Sequence, residues 1–289
     1  MVKFLYVTDL HGWELGYNEI LAYAIKNKFN TIINGGDILP KDSNFFINQK
    51  IFITTFLKNY FKTCHENGIK YYTMFGNDDL KCHIPLWKSI INKDLEIPID
   101  LTLFNNQAIS FENNLKIIGF NLVPDHPFGL KDWCRLDYSG WQRPLQYSNQ
   151  DFISDLEAGK LVPIKDKNKY FEQQTIEEEL NKLKSEDWSR TIVVCHCPPK
   201  ATQLGNTRYL DVGSEAILKW INREQPLLTL HGHIHESPAV TGVFKINVNK
   251  TVCIQPGQNN PYNTIFSEVE IHDDLKIIAR RILLKALKI

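Results

Sequence analysis

The side chains best suited to chemistry fall in five short clusters of the 289-residue chain: Asp9-Leu10-His11-Gly12, Gly35-Gly36-Asp37, Gly76-Asn77-Asp78-Asp79, Cys195-His196-Cys197-Pro198-Pro199 and Gly232-His233-Ile234-His235. Asp9 and His11 are two residues apart, as are His233 and His235. In an extended segment that spacing turns both members of a pair to one side. The glycines in the clusters let the backbone turn sharply and approach closely. Carboxylate and imidazole donors without thiolate suit divalent Mn, Fe, Zn, Co or Ni. Asp9, Asp37 and Asn77 offer oxygens, and His11, His196, His233 and His235 offer imidazoles. That set is about right for two metals sharing a bridging carboxylate. Two cations ~3.5–4 Å apart can both generate hydroxide and hold phosphoryl oxygens.

Such clusters need elements to position them. Val2 to Val7 is a short apolar run ending at Thr8 and Asp9, which predicts a strand. A helical segment follows, with Leu21, Ala24 and Ile25 on one face. Thr31-Ile32-Ile33 predicts a second strand, closed by Asn34-Gly35-Gly36-Asp37. Ile53, Phe56, Leu57, Tyr60, Phe61 and Cys64 recur at helical spacing. Ile69 to Phe75 is a third strand, stopping at Gly76-Asn77. This alternation predicts a parallel sheet with right-handed crossovers. Strand-like runs between Leu101 and Phe120, broken at Asn105-Asn106 and Asn113-Asn114, read as a hairpin or meander.

The C-terminal third repeats the pattern. Thr191 to Cys195 is a strand, Ala216, Ile217, Trp220 and Ile221 mark a helix, and Leu227 to Leu230 leads into His231. Further strands are predicted around Val243 to Val248, Val252 to Ile254, Phe266 to Ile271 and Ile277 to Leu283. Each cluster thus follows a predicted strand, and open α/β sheets bind ligands at the carboxyl ends of their strands.

The order D-x-H, G-G-D, G-N-x-D, H and G-H-x-H, running from Asp9 to His235, resembles the calcineurin-like metallophosphoesterase family. The resemblance implies an α/β fold, a four-layer α-β-β-α sandwich of two mixed sheets flanked by helices. It implies two divalent metals, with Mn favoured and Fe, Zn, Co or Ni as alternatives. Asp9, His11 and His235 would bind one metal, Asn77, His196 and His233 the other, and Asp37 would bridge them. A hydroxide held between the metals would attack phosphorus in line. Pro256-Gly257 resembles the family's late proline-glycine turn near the site.

One position departs from the family pattern. Its third motif ordinarily reads G-N-H-D, with a histidine that contacts the phosphate and assists the leaving group, and here that position is Asp78. Beside two dications a carboxyl loses its proton. An ionised Asp78 donates no proton and repels phosphate, a monoester dianion about twice as strongly as a diester monoanion. The expected activity is therefore a phosphodiesterase. A phosphomonoesterase or nucleotidase is the rival enzyme, and a catalytically weak metal-binding scaffold, a role known in the family, is the rival from another class. Retention of all seven metal-ligand positions argues for bound metal.

Between Pro124 and about Phe171 periodicity fades, which predicts a lid-like insertion at about 124–172 in a single domain spanning 1–289. His126, in Asp125-His126-Pro127-Phe128 at its head, is the favoured proton donor ahead of His83 and His231. Arg135 and Arg143 lie amid Trp133, Tyr138 and Trp141. Two uses are open to them: phosphate and base contacts with a nucleotide-like substrate, or salt bridges and packing beneath a long loop. Lys131 to Asp137 could equally begin a helix. Thr175, with Glu178 three residues on, carries a capping-box pattern before Ile176, Leu180 and Leu183.

The formal net charge is zero, with 33 basic and 33 acidic residues, so the chain has no global electrostatic grip on nucleic acid or an anionic membrane. No apolar run approaches the ~18 residues of a membrane span, and the opening run is too short for a signal peptide. A cytoplasmic protein acting on a small phosphoester is expected, its oligomeric state open. Six scattered cysteines without a C-x-x-C pair are expected to be reduced and mostly buried. Cys195 and Cys197, flanking His196 on a strand, should point away from it and pack in the sheet interface instead of binding metal.

Overall fold

Alternation along single strands decides the layering. In β1 (Val2–Val7), Val2, Phe4 and Tyr6 enter one buried cluster, while Leu5 and Val7 enter another. In a strand at the far side of the molecule, Thr191–Cys195, Ile192 and Val194 join the first cluster and Val193 and Cys195 the second. The first cluster is therefore the space between two sheets, and the second packs under helices. The protein is described by a computed structural model over residues 1–90, 97–102, 106–147, 149–166, 170, 172–259 and 263–285.

Sheet one contains β1, β2 (Thr31–Asn34), β3 (Lys70–Thr73) and β4 (Ile99–Asp100), all parallel. The long antiparallel pair β15 (Asn263–Ile271) and β16 (Ile277–Lys285) extends it beyond β1. In sheet two, β6 (Lys116–Phe120), β11 (Thr191–Cys195), β12 (Leu228–Leu230) and β14 (Thr251–Ile254) are parallel. Antiparallel edge strands β5 (Ile109–Ser110) and β13 (Lys245–Val248) close its two sides. Ile33 and Tyr72 from sheet one, with Met74 just beyond β3, meet Ile117, Leu228, Leu230 and Ile254 from sheet two.

Helices cover both outer faces, which completes the expected four layers. Sheet one is backed by α1 (Glu14–Asn27), α2 (Phe45–Phe52) and α3 (Lys58–Glu66), with α4 (Ile84–Ile90) beside them. Sheet two is backed by α5 (Ile176–Leu180) and α6 (Glu215–Glu224); α7 (Ser237–Thr241) follows β12. Ala216, Ile217, Trp220 and Ile221 form the buried stripe of α6, and each large apolar side chain so buried contributes roughly 1.5–3 kcal/mol. Leu21 and Ala24 are buried on α1 as expected, but Ile25 is solvent-exposed. The apolar stripe after Ile53 is helical throughout, yet Ile53–Leu57 forms a π turn between α2 and α3, which the spacing did not reveal. Thr175 makes both bonds of the capping box at α5.

The stretch read as an insertion carries more regular structure than its sequence suggested. It contains the parallel pair β7 (Val123–Pro124) and β8 (Cys134–Arg135) and the hairpin β9 (Phe152–Asp155) and β10 (Lys160–Pro163). The stretch from Lys131 to Asp137 is a turn and a strand, not a helix start. The hairpin read before Phe120 is the pair β5–β6, turning through Asn113 and Asn114, both with positive φ. The break at Asn105 and positions 148, 167–169 and 171 of the insertion lie outside the described residues. No helix among the described residues is long and apolar enough to cross a membrane.

Candidate metal centre

The parallel strands of both sheets deliver their carboxyl ends to one edge of the sandwich. Asp9 follows β1, Asp37 follows β2, Asn77 and Asp78 follow β3, His196 follows β11, and His233 and His235 follow β12. The segments are not extended there, which corrects the period-two argument. Asp9, His11, Asp37 and His233 have φ of 58°, 44°, 51° and 66°. Left-handed backbone costs about 1–2 kcal/mol per non-glycine residue, and it concentrates at functional sites. Backbone bonds hold it in place: Asp9 N–H to Gly36 O at 3.0 Å, His11 N–H to Asp37 O at 2.8 Å, and Gly12 N–H to Ile38 O at 3.1 Å. The β1 and β2 loops are thus stitched together, so tight turns rather than pleating aim the pairs.

Two glycines allow the approach of the remaining loops. A Cβ on Gly76 would stand 2.3 Å from Asp37 Oδ1, and one on Gly232 would stand 2.7 Å from Asp9 Oδ2. Beyond the ligand positions, Asp79 accepts backbone N–H bonds from Gly76, Ile38 and Leu39 at 2.7, 3.1 and 2.8 Å. Buried Gln49 bonds Pro40 O, Asp78 O and Leu80 N–H. Gly257, with φ 71°, lies so close to His235 O that a Cβ would meet it at 2.6 Å, and Gln258 N–H bonds that oxygen. The late proline-glycine turn therefore supports the His235 loop.

Donor atoms of Asp9, His11, Asp37 and His235 all lie within 4.8 Å of one another. His11 Nε2 and His235 Nε2 are 3.1 Å apart, and His235 Nε2 is 3.4 Å from Asp9 Oδ1. His196 Nε2 is 3.0 Å from Asn77 Oδ1 and 3.4 Å from Asp37 Oδ2. The Nδ1–H of His196 donates to Gly35 O at 2.8 Å. A carbonyl can only accept, so Nδ1 keeps its proton, and loss of the other proton would leave Nε2 as the lone pair, the arrangement metal-binding histidines use. His233 packs its ring 5.4 Å from that of His196, and its backbone N–H donates to Asp9 Oδ1.

The charges fit the same use. Burial would lower the His196 pKa, but Asp37 and Asp9 outweigh it and lift the imidazole to about 9, so without a cation the carboxylates hold on Nε2 a proton that a metal would displace. Burial would raise Asp37, yet His196, His11 and the Asp78 N–H hold its carboxyl far below the usual range. Asp9 Oδ2 and His11 Nδ1 are buried without hydrogen-bond partners, although buried polar atoms ordinarily find one. Oxygen and imidazole donors converging around orphaned atoms fit a divalent metal pair. Asp37 stands within 3.4 Å of His196 Nε2 and 3.7 Å of His11 Nε2, between the two groups of donors.

Other expected site residues meet different partners. Asp78 donates its backbone N–H to Asp37 Oδ1, and its carboxylate lies 2.6 Å from Lys41 Nζ. Burial and Asp37 push its pKa up, and Lys41 pulls it back. The repulsion argued from Asp78 alone omitted this neutralising lysine. His126 donates Nε2–H to Val212 O at 2.9 Å, and burial lowers its pKa, so at neutral pH it presents only a bare Nδ1. Arg143 forms ion pairs with Asp125 and Asp151, the packing use rather than the substrate use. Arg135 bonds the Cys134 carbonyl and neighbours Tyr170 and Lys81. Trp133 is buried and donates Nε1–H to Asp79 O, so it is unavailable for stacking.

Cys195 and Cys197 are buried, but in the cluster beneath the helices and not between the two sheets as expected. His231 bonds the Cys195 and Cys197 carbonyls, and His83 bonds the Phe46 carbonyl, which gives both structural roles. The sequence assigns no role to Lys41 or Gln49, and it marks Asp79 only as the last residue of G-N-x-D. Lys41 left one signal, a basic residue four positions after Asp37. Gln49 left none, since it stands between polar Asn48 and Lys50.

The family model for calcineurin-like phosphoesterases matches residues 2–237. Among solved structures, the protein TT1561 of Thermus thermophilus aligns with a TM-score of 0.55 and 12% identity, over 96% of this chain and 98% of that one. A dimetal phosphatase from Danio rerio aligns with a TM-score of 0.53 and 10% identity, over 99% of each chain. At these identities the likeness is one of fold. A comparison with curated proteins finds no match.

Proposed function

The chain belongs to the calcineurin-like phosphoesterase family, and from that premise we propose that it hydrolyses phosphoesters with two divalent metals, Mn favoured, and prefers diesters. The observation that carries the proposal is the convergence of Asp9, His11, Asp37 and His235 donors within 4.8 Å. In this reading Asp9, His11 and His235 hold one cation, Asn77, His196 and His233 the other, and Asp37 both. When bound, such a pair supplies an activated water and neutralises phosphoryl oxygens. Gly35 O fixes the ring of His196, and the stitched β1 and β2 loops hold Asp9 and Asp37 in register, so the donor geometry is set before substrate arrives.

The diester preference rests on the third motif. No imidazole stands at Asp78, and His126 offers no N–H, so a leaving alcohol departs without help from either. The single charge of a diester also adds less repulsion beside Asp78. A monoesterase is favoured by one specific observation, Lys41 Nζ at 2.6 Å from Asp78, which offsets that carboxylate.

The deciding experiment determines bound metal per chain and compares bis-p-nitrophenyl phosphate with p-nitrophenyl phosphate in added manganese, with Asp37→Asn alongside. About two metals per chain and diester hydrolysis lost in the variant are expected. Faster monoester cleavage keeps the enzyme and removes the diester preference. Bound metal without either activity favours the scaffold, and absence of metal overturns the proposal.

A further inference from the structure

Lys41 extends from the loop that carries Asp37, and its side chain is 59% exposed while that of its partner Asp78 is 11% exposed. The lysine therefore reaches from solvent toward a carboxylate at the rim of the donor cluster. Its charge is felt by Asp37, Asp9 and His235. Beside it lies a cavity of about 400 Å³, with His11 and Lys41 among its walls. One wall is thus part of the donor cluster and another is the only lysine or arginine among the cavity's lining residues. Ile51 and Phe52 give the cavity apolar surface, while Glu14 and Asp42 give it negative charge.

We propose that Lys41 is a substrate-contacting residue, its ammonium taking a phosphoryl oxygen, and that the adjoining cavity receives the ester's alcohol, an uncharged or cationic one. This rests on the phosphoesterase reading. A partly exposed lysine–carboxylate pair is weak, so sharing the ammonium between Asp78 and a phosphoryl oxygen costs little. A lysine binds phosphate as a compact point charge through three rotatable donors, and needs no fixed geometry to do so. Two carboxylates on the cavity wall repel an alcohol bearing its own negative charge, and Ile51 and Phe52 favour one with an alkyl part.

The test titrates orthophosphate calorimetrically into the manganese-loaded protein, with metal content measured in every sample. Lys41→Ala should raise the phosphate Kd about tenfold, the loss of one charge-assisted bond. Lys41→Arg should restore binding to within about threefold, with metal content unchanged throughout. Ile51→Trp, at an exposed position that lines the cavity, should raise KM for a diester of an uncharged alcohol and leave the phosphate Kd unchanged. Metal-loaded Lys41→Ala with wild-type phosphate affinity overturns the role of the lysine, and an unchanged KM in Ile51→Trp overturns that of the cavity. Failure of the wild-type protein to bind metal instead removes the phosphoesterase reading beneath both.

Discussion

His231 and His233 sit two residues apart and meet opposite surroundings. His233 ends among donors at the sandwich edge. His231 is fully buried, with Nδ1–H donated to the Cys195 and Cys197 carbonyls and Nε2 facing the Thr229 hydroxyl. Burial depresses its pKa to about 4, despite the carbonyls that favour a proton. The unfolded chain, with a histidine pKa near 6.5, binds a proton that the folded chain refuses between those values. Stability from this group is present above pH 6.5 and is lost as pH falls toward 4, by about 2 kcal/mol at pH 5. Urea unfolding of the metal-free protein from pH 7 to 4.5 should show a shallower decline in His231→Gln than in wild type. Parallel declines would contradict the assignment. The candidate metal ligands were legible as residue types in order, because chemistry restricts their identity. Lys41 was not, since a lone lysine carries meaning only once Asp78 is found 2.6 Å away.

At the level of elements, the insertion shows how a polar core can stand in for an apolar one. Lys131 is fully buried, with Nζ 2.6 Å from Asp125 Oδ1 and 3.9 Å from Asp151 Oδ1, and Arg143 pairs with both carboxylates. The pairs tie β7, β8 and β9 into one unit. Asp137 fastens that unit to sheet two by accepting N–H bonds from Glu215 and Ala216 at the start of α6. Lys131→Met leaves two buried carboxylates with only Arg143 to offset them, and should destabilise the protein by about 3–5 kcal/mol. Chemical denaturation at neutral pH measures it, and a loss below about 1 kcal/mol, the range of solvent-exposed pairs, would show that water reaches the pair. The sequence offered salt bridges as one of two uses for Arg143 but marked no partners, because ionic groups spread from 125 to 151 leave no periodic pattern. The strands and helices of the two sheets were legible because their apolar spacing repeats. The π turn at Ile53–Leu57 was hidden because it keeps the same stripe buried.

For the whole molecule, the left-handed candidate ligand loops and the orphaned Asp9 Oδ2 leave at one edge of the folded chain donors that a cation would satisfy. Manganese binding to that edge should therefore raise the unfolding temperature. At a free concentration of ~100 Kd the gain is about 2.7 kcal/mol for each site, several degrees for a chain of this size. A chelator should return the melting temperature to its starting value, as a thermal scan with and without manganese would show. An unchanged midpoint would mean that metal does not bind the folded state selectively, and would count against a structural fit of the donors.

The sequence by itself determined that each candidate donor cluster follows a strand, the residue types those clusters offer and the family resemblance, because strand periodicity and metal chemistry are both local or type-specific constraints. Only the tertiary structure decided which backbone aims the donors, since Asp9, His11, Asp37 and His233 adopt left-handed conformations held by bonds between loops distant in sequence. It also decided that Arg143 and Trp133 serve packing, and that Lys41 answers Asp78. Each of these depends on partners dozens of residues away or on the other side of a turn, and the energy of such a pair exists only when the fold brings its members within a few ångströms.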